Sequence, residues 1–378
     1  MFKRFLSLML VACIVFSVLL CMTGCSEGKK TETDAAAGTH VVVDHNGNEV
    51  AVPNDVQRIA VCDIYPLPSV LTVFFDSAEK IVGMAPPSML AAKSGLLGEL
   101  YPEILKAETG YIDGANVNIE ELMKLNPDVV FYSASNPELG EKLRAAGLAA
   151  LAVSVNKWDY NAIETLNHWI ELFNEVIPQN DKVDKVKKAS EEMYNLVQSR
   201  VSSLSDEERE RAFFLFQYSE TNILTSGRKF FGEWWAEAIG AKNVAYELEN
   251  DNSVAVNMEQ IYAWNPSLIF ITNFNTALPE TLYTNEIGNY DWSEIEAVKN
   301  QRVYKMPLGM YRSYTPGVDT PITLLWLAKS AYPELFADID VIERTVEYYR
   351  DVFGVTLTPE QANSIFAPPA SAGEVVVR

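Results

Sequence analysis

Val117-Asn118-Ile119-Glu120-Glu121-Leu122-Met123-Lys124-Leu125-Asn126-Pro127-Asp128-Val129-Val130-Phe131 returns later in the chain, without a gap, as Val256-Asn257-Met258-Glu259-Gln260-Ile261-Tyr262-Ala263-Trp264-Asn265-Pro266-Ser267-Leu268-Ile269-Phe270. The offset is 139 positions, and six of the fifteen residues are identical. Both copies read alike. Asn118 or Asn257 is placed to cap a helix, and a carboxylate follows in the first turn, where the helix dipole favours it. Apolar residues at helical spacing continue for two turns. Asn-Pro then ends the helix, because the residue before proline is pushed out of the helical region. Val129-Val130-Phe131 and Leu268-Ile269-Phe270 read as short buried strands. Two such helix–turn–strand units predict two similar α/β lobes with mainly parallel central sheets, not a solenoid.

Between the copies lies a helical tract. Residues 161–173 are apolar at helical spacing, and residues 182–201 carry a second set (Val183, Val186, Ala189, Met193, Leu196, Val197) with charges on the other faces. Pro178-Gln179-Asn180 interrupts them as a turn or kink. Ala212-Phe213-Phe214-Leu215-Phe216 starts a strand again. The expected division is a first α/β lobe over 40–158, a connecting helical spine over 159–209, a second α/β lobe over 210–330 and a helical tail over 331–378, with a turn at Thr358-Pro359. About 340 residues are enough for two lobes with separate cores.

At the other end, Lys3 and Arg4 precede an apolar run over 5–22, the layout of a secretory signal peptide over 1–24. The run is also near the lower limit for a membrane span, which would make it an anchor instead. Thr23-Gly24-Cys25 resembles the bacterial lipobox, which implies that Cys25 is acylated and becomes the first residue. Residues 25–39 then form a polar, flexible tether. Either way the remainder lies outside the cytoplasm; on the lipobox reading it is held to the membrane through the lipid anchor only. Without residues 1–24 the chain has 28 basic and 51 acidic residues, a net charge of −23. That excludes nucleic acid and anionic lipid surfaces as partners. Cys13 and Cys21 leave with the signal, Cys25 is blocked by lipid, and Cys62 is left as a core thiol with no disulfide partner.

With these features the chain resembles the solute-binding proteins of siderophore, haem and cobalamin ABC importers. His45-Asn46-Gly47-Asn48-Glu49-Val50 and Arg58-Ile59-Ala60-Val61 are similar to that family's first hairpin and strand. Thr225-Ser226-Gly227-Arg228 is similar to its second-lobe cleft turn. Val303-Tyr304-Lys305-Met306-Pro307 and Leu324-Leu325-Trp326-Leu327-Ala328-Lys329 are similar to its last strand and following helix. The resemblance implies two α/β lobes joined by one long backbone helix, with a ligand cleft between them. It implies a monomer that works with the permease and ATPase subunits of its importer. It also implies that Glu120 and Glu259, at matched helix starts, dock on permease arginines, although any first-turn acid also favours the helix dipole.

Ligands of α/β sheets sit beyond the C-terminal strand ends, so the loops there supply the candidates. They are Tyr65 in the first lobe and Arg228, Tyr311, Arg312 and Tyr314 in the second. Aromatic faces stack on flat or cyclic ligands, and a guanidinium holds carboxylate, catecholate or oxyanion groups bidentately. Alternatively, Arg312 pairs with Asp319 and the tyrosines pack beneath the loop. Catalytic residues and a protein metal site are not expected. Three histidines, and the absence of Gly-x-Ser-x-Gly and His-Glu-x-x-His, leave a triad or zinc site without parts. The same shortage disfavours a receptor for bare metal ions. No cofactor is expected beyond a bound metal chelate. The resemblance implies capture of a ferric siderophore or related iron chelate, with haem, a corrinoid or an oxyanion such as molybdate as alternatives that the candidate residues suit equally. A surface lipoprotein without a transport role is the competing class.

Overall fold

The computed structural model describes residues 38–179, 181–250 and 252–374. The expected signal peptide, Cys25 and the tether up to residue 37 lie outside the described residues. In the first lobe, a hairpin of β1 (Thr39–Val43) and β2 (Glu49–Pro53) leads to β3 (Ile59–Val61), α1 (Leu67–Phe75), β4 (Ile81–Gly83), α2 (Pro86–Ser94) and α3 (Leu96–Leu100). A second hairpin, β5 (Ile112–Asp113) with β6 (Asn116–Val117), precedes α4 (Ile119–Lys124), β7 (Val129–Ser133), α5 (Pro137–Ala145) and β8 (Ala150–Val153). The central sheet has the order β4-β3-β7-β8 and is parallel throughout. Successive side chains alternate between its faces. Ile59, Val61, Val129 and Phe131 enter one core, while Ala60, Cys62, Val130 and Tyr132 enter another. Both faces are covered, so these strands are apolar throughout and not alternating. Cys62 is a free, buried thiol whose pKa burial pushes up.

The spine is two helices, α6 (Ala162–Val176) and α7 (Lys182–Val201). Asn161 caps α6 by accepting from the amides of Ile163 and Glu164. Twenty residues make α7 about 30 Å long. Its Val186 packs in the first lobe's core, and its Val197 and Val201 pack in the second lobe's. One rigid element therefore takes part in both cores.

The second lobe contains β9 (Arg211–Tyr218), β10 (Ile223–Ser226), α8 (Phe231–Ala238), β11 (Lys242–Asn243), β12 (Ser253–Val256), α9 (Met258–Trp264), β13 (Leu268–Ile271), α10 (Pro279–Tyr283), α11 (Glu296–Lys299), β14 (Val303–Lys305) and α12 (Thr320–Ala331). Its sheet has the order β12-β10-β9-β13-β14, with β11 beside β9. The strands β9, β13 and β14 run parallel, while β10 and β12 add an antiparallel extension. Trp235 and Phe270 fill one side and Ile269 and Trp292 the other.

The chain then returns to the first lobe. After α13 (Val341–Tyr348), a π-helical turn over Tyr349–Phe353 and α14 (Pro359–Ile365), it ends its described course in a 3-10 turn over Ala370–Gly373. Tyr348, Tyr349, Phe353 and Ile365 pack in the first lobe's core. Among the described residues, no helix is long and apolar enough to cross a membrane.

The two repeat copies fold alike. Asn118 accepts from the amides of Glu120 and Glu121, and Asn257 accepts from the amide of Gln260 in a capping box. Asn126 and Asn265 leave the helical region by going left-handed, at φ 44° and 41°, a conformation that asparagine tolerates better than most residues. A guanidinium secures each turn: Arg58 donates to the Leu125 and Asn126 carbonyls, and Arg211 donates to the Asn265 carbonyl.

Candidate functional site

The loops beyond the C-terminal ends of β13 and β14 hold two buried cations. Lys305 closes β14, and its ammonium donates to the carbonyls of Thr272 (2.9 Å), Asn275 (2.7 Å) and Ala277 (2.9 Å). Those acceptors are neutral and leave the charge uncompensated. Burial, with Arg312 adding to it, lowers the Lys305 pKa to about 7. Arg312 is only 2% exposed. Its guanidinium lies 5.1 Å from the centre of the Phe274 ring, and Nη2 donates to the carbonyl oxygen of Glu374 at 2.8 Å. Neither cation forms a salt bridge among the described residues. Asp319 does not pair with Arg312. Its carboxylate accepts from the Met310 amide (2.9 Å) and the Tyr349 hydroxyl, and burial raises its pKa to about 6.

Around Arg312, four buried polar atoms have no hydrogen-bond partner among the described residues: Arg312 Nε, Tyr311 Oη, Ser313 Oγ and Asn273 Oδ1. A buried polar group without a hydrogen bond costs free energy, so each of these atoms favours a partner that can satisfy it. Three of the four are donors. Asn273 uses its amide nitrogen to hold the carbonyls of Met306 and Pro307, which fixes the loop that presents them.

The first lobe closes on this group. Met310 packs in the first lobe's core, and the Leu96 amide donates to the Gly309 carbonyl at 3.1 Å. Burial pushes the Tyr311 hydroxyl pKa up; Arg312 opposes the rise and neighbouring Tyr65 adds to it. Tyr65, half-buried, has its pKa raised by burial and by Asp63. Tyr65 is thus a neighbour of Tyr311, which adjoins Arg312 in the chain.

Tyr314 and Arg228 are elsewhere. The Tyr314 ring sits among Phe214, Phe216, Phe230 and Phe231 in the second lobe's core, and its hydroxyl accepts from the Gly232 amide at 3.0 Å. Arg228 pairs with Glu249 and lies over the Tyr246 ring at 4.8 Å. Glu120 and Glu259 are exposed on the first turns of α4 and α9 and form no salt bridge among the described residues. Sequence reasoning passed over Lys305, whose signal was a single cation ending an otherwise apolar strand. Of the histidines, His40 bonds Asn54, and His168 stacks on Trp158 at 4.2 Å. The described residues contain no group of three or more His, Cys, Asp or Glu able to hold a metal.

This arrangement of two lobes, a spine in both cores and a buried cationic group in the second lobe has a counterpart in sequence. Residues 98–308 match the family model for periplasmic binding proteins. The chain belongs to the periplasmic binding protein family. It is 25% identical over 351 residues to the molybdate-binding protein MolA of Haemophilus influenzae, covering 87% of this chain and 95% of that protein. It is 24% identical over 301 residues to the Bacillus subtilis ABC transporter substrate-binding lipoprotein YvrC, covering 78% of this chain and 86% of that one. The crystal structure of a periplasmic solute-binding protein from Veillonella parvula superposes with a TM-score of 0.77 at 27% identity, covering 87% of this chain and 97% of the other. As a periplasmic binding protein, the chain is the extracytoplasmic substrate-binding component of an ABC importer.

Proposed function

We propose that this periplasmic binding protein captures an anionic solute, a ferric siderophore or related iron chelate carrying carboxylate or catecholate oxygens, and delivers it to its permease. The observation that carries the reading is the pair of buried cations, Arg312 and Lys305, with no carboxylate among the described residues to balance them. Burying charge is costly unless an opposite charge compensates. An anion entering the cleft supplies that compensation and also satisfies Arg312 Nε, Tyr311 Oη and Ser313 Oγ. Tyr65, Tyr311 and Phe274 offer aromatic faces beside the charge. A second reading, a small oxyanion such as molybdate, is favoured by the similarity to MolA.

The mechanism is capture and release without chemistry. Cys25 holds the mature chain at the membrane as a lipid anchor. Glu120 and Glu259 orient the two lobes on a cationic permease surface, which sets encounter rate and register more than affinity. The spine helix, shared by both cores, keeps lobe movement small.

Calorimetric titration of the protein with a ferric tris-catecholate, molybdate, haemin and cobalamin tests the reading. An anionic probe is expected to bind, and Arg312→Ala to weaken that binding at least about 30-fold. Binding of cobalamin alone, unaffected by Arg312→Ala, overturns it.

A further inference from the structure

One of the two Arg312 Nη2 protons is already taken, and its acceptor comes from the far end of the chain. After α14, the Ile365 carbonyl accepts from the Leu308 amide at 2.8 Å, at the entry to the loop that carries Tyr311 and Arg312. Phe366 then stacks against Trp326. The 3-10 turn over Ala370–Gly373 lies between the lobes: it packs on α2 of the first lobe, while Gly373 presses against the backbone of Asn275 and Thr276 in the second. A Cβ at Gly373 would overlap the Asn275 carbonyl, so only glycine fits. Ala372 and Gly373 are buried, and the next carbonyl, that of Glu374, accepts from Arg312. Asn275 is also one of the three residues whose carbonyls hold Lys305.

We propose that the C-terminal segment 366–374 is a resident occupant of the cleft, a strap whose Glu374 carbonyl holds Arg312 until an anionic solute displaces it. The proposal rests on the reading of the cleft as an anion site. The competition is unequal in kind. A carbonyl is a neutral acceptor that satisfies one N–H, whereas an anion offers charge-assisted and bidentate hydrogen bonds to the same guanidinium. The strap therefore keeps a buried cation partly satisfied in the empty protein and yields to a ligand of the right charge. Neutral solutes, which gain no more from Arg312 than the carbonyl does, are left to compete against a tethered group at high local concentration. The strap is anchored on both lobes, so its release also frees them to separate.

Two variants of the full-length protein test this. One stops after Pro369; the other carries Gly373→Val, which drives the turn off Asn275 without shortening the chain. The first readout needs no ligand: the rate at which an arginine-specific dicarbonyl modifies Arg312, followed by peptide mass spectrometry. Both variants are expected to raise that rate at least about tenfold, the factor for a site otherwise open a tenth of the time or less. An unchanged rate in the variant that retains its far-ultraviolet circular dichroism overturns the strap. The second readout is association of molybdate and of a ferric tris-catecholate, which should quicken by about the same factor. Slower or weaker binding in the variants shows that segment 366–374 completes the site, and overturns the strap as a competitor. If Arg312 becomes reactive but neither anionic probe binds any form, the anion reading fails and displacement of the strap by an anion is overturned with it, while slower binding beside a reactive Arg312 overturns the strap alone.

Discussion

The two lobes begin from one pattern and end with different jobs. Each has an asparagine-capped short helix, a left-handed asparagine before proline, an arginine that secures the turn, and a buried parallel strand. In the first lobe the strand-end loops are neutral or acidic at their centre: Asp63 accepts from the Ser133 amide and from Asn136. In the second lobe the equivalent region carries Lys305 and Arg312, both buried. The difference teaches that the repeat builds the frame and not the buried charge on which the proposed site rests. Local signals for caps and turns can be copied from lobe to lobe, while the buried cations are placed once.

Four experiments press on that contrast. The largest effect is expected at the asymmetric group. Arg312→Ala should weaken anion binding at least about 30-fold, since a desolvated charge contact is worth roughly 2–5 kcal/mol, whereas Tyr65→Phe in the first lobe should cost much less. Comparable losses from both in calorimetry would mean the lobes share recognition equally. Next come the symmetric carboxylates. Reversing Glu120 and Glu259 together to lysine should leave ligand affinity unaltered and slow uptake by the reconstituted importer about tenfold or more, because steering charges act chiefly on encounter. Unchanged uptake removes the docking role.

Smaller effects follow. Asn126→Ala and Asn265→Ala should each destabilise their lobe by about 1 kcal/mol, since both occupy left-handed positions that alanine resists. Denaturant titration showing a loss in one lobe only would break the symmetry of the turns. The smallest effect is the pH dependence given by Lys305. Its pKa is lowered to about 7 in the protein, so it is charged below that pH and neutral above it. A bound anion favours the charged form, so affinity should be highest below pH 7 and fall by several-fold as pH rises past 7. Lys305→Met should flatten that profile.

The legibility of the chain divides along the same line. The Asn-Pro turns were readable because their cause is local, and the structure sharpened the reading by showing that both asparagines go left-handed. The paired lobes followed from the repeat, and Val186 and Val197 from the apolar set of 182–201 became, with Val201, the contacts that place α7 in both cores. The candidate site was legible only in part. Arg312 and the two tyrosines before and beside it were marked by residue type and position after a strand. Residue type does not reveal that Tyr314 turns into a nest of phenylalanines or that Arg228 meets Glu249. Lys305 carried too little signal, because a lysine at a strand end is ordinarily solvated.

By itself the sequence determined the family, the two-lobed frame and the matched carboxylates, since each is written in residues a few positions apart or in a repeat that can be aligned by eye. Only the tertiary structure decided where the charge is kept. Lys305 is held by carbonyls 28 to 33 residues away, and Arg312 by one 62 residues away. Burial of a cation is a property of everything packed around it, so no local stretch of sequence can state it.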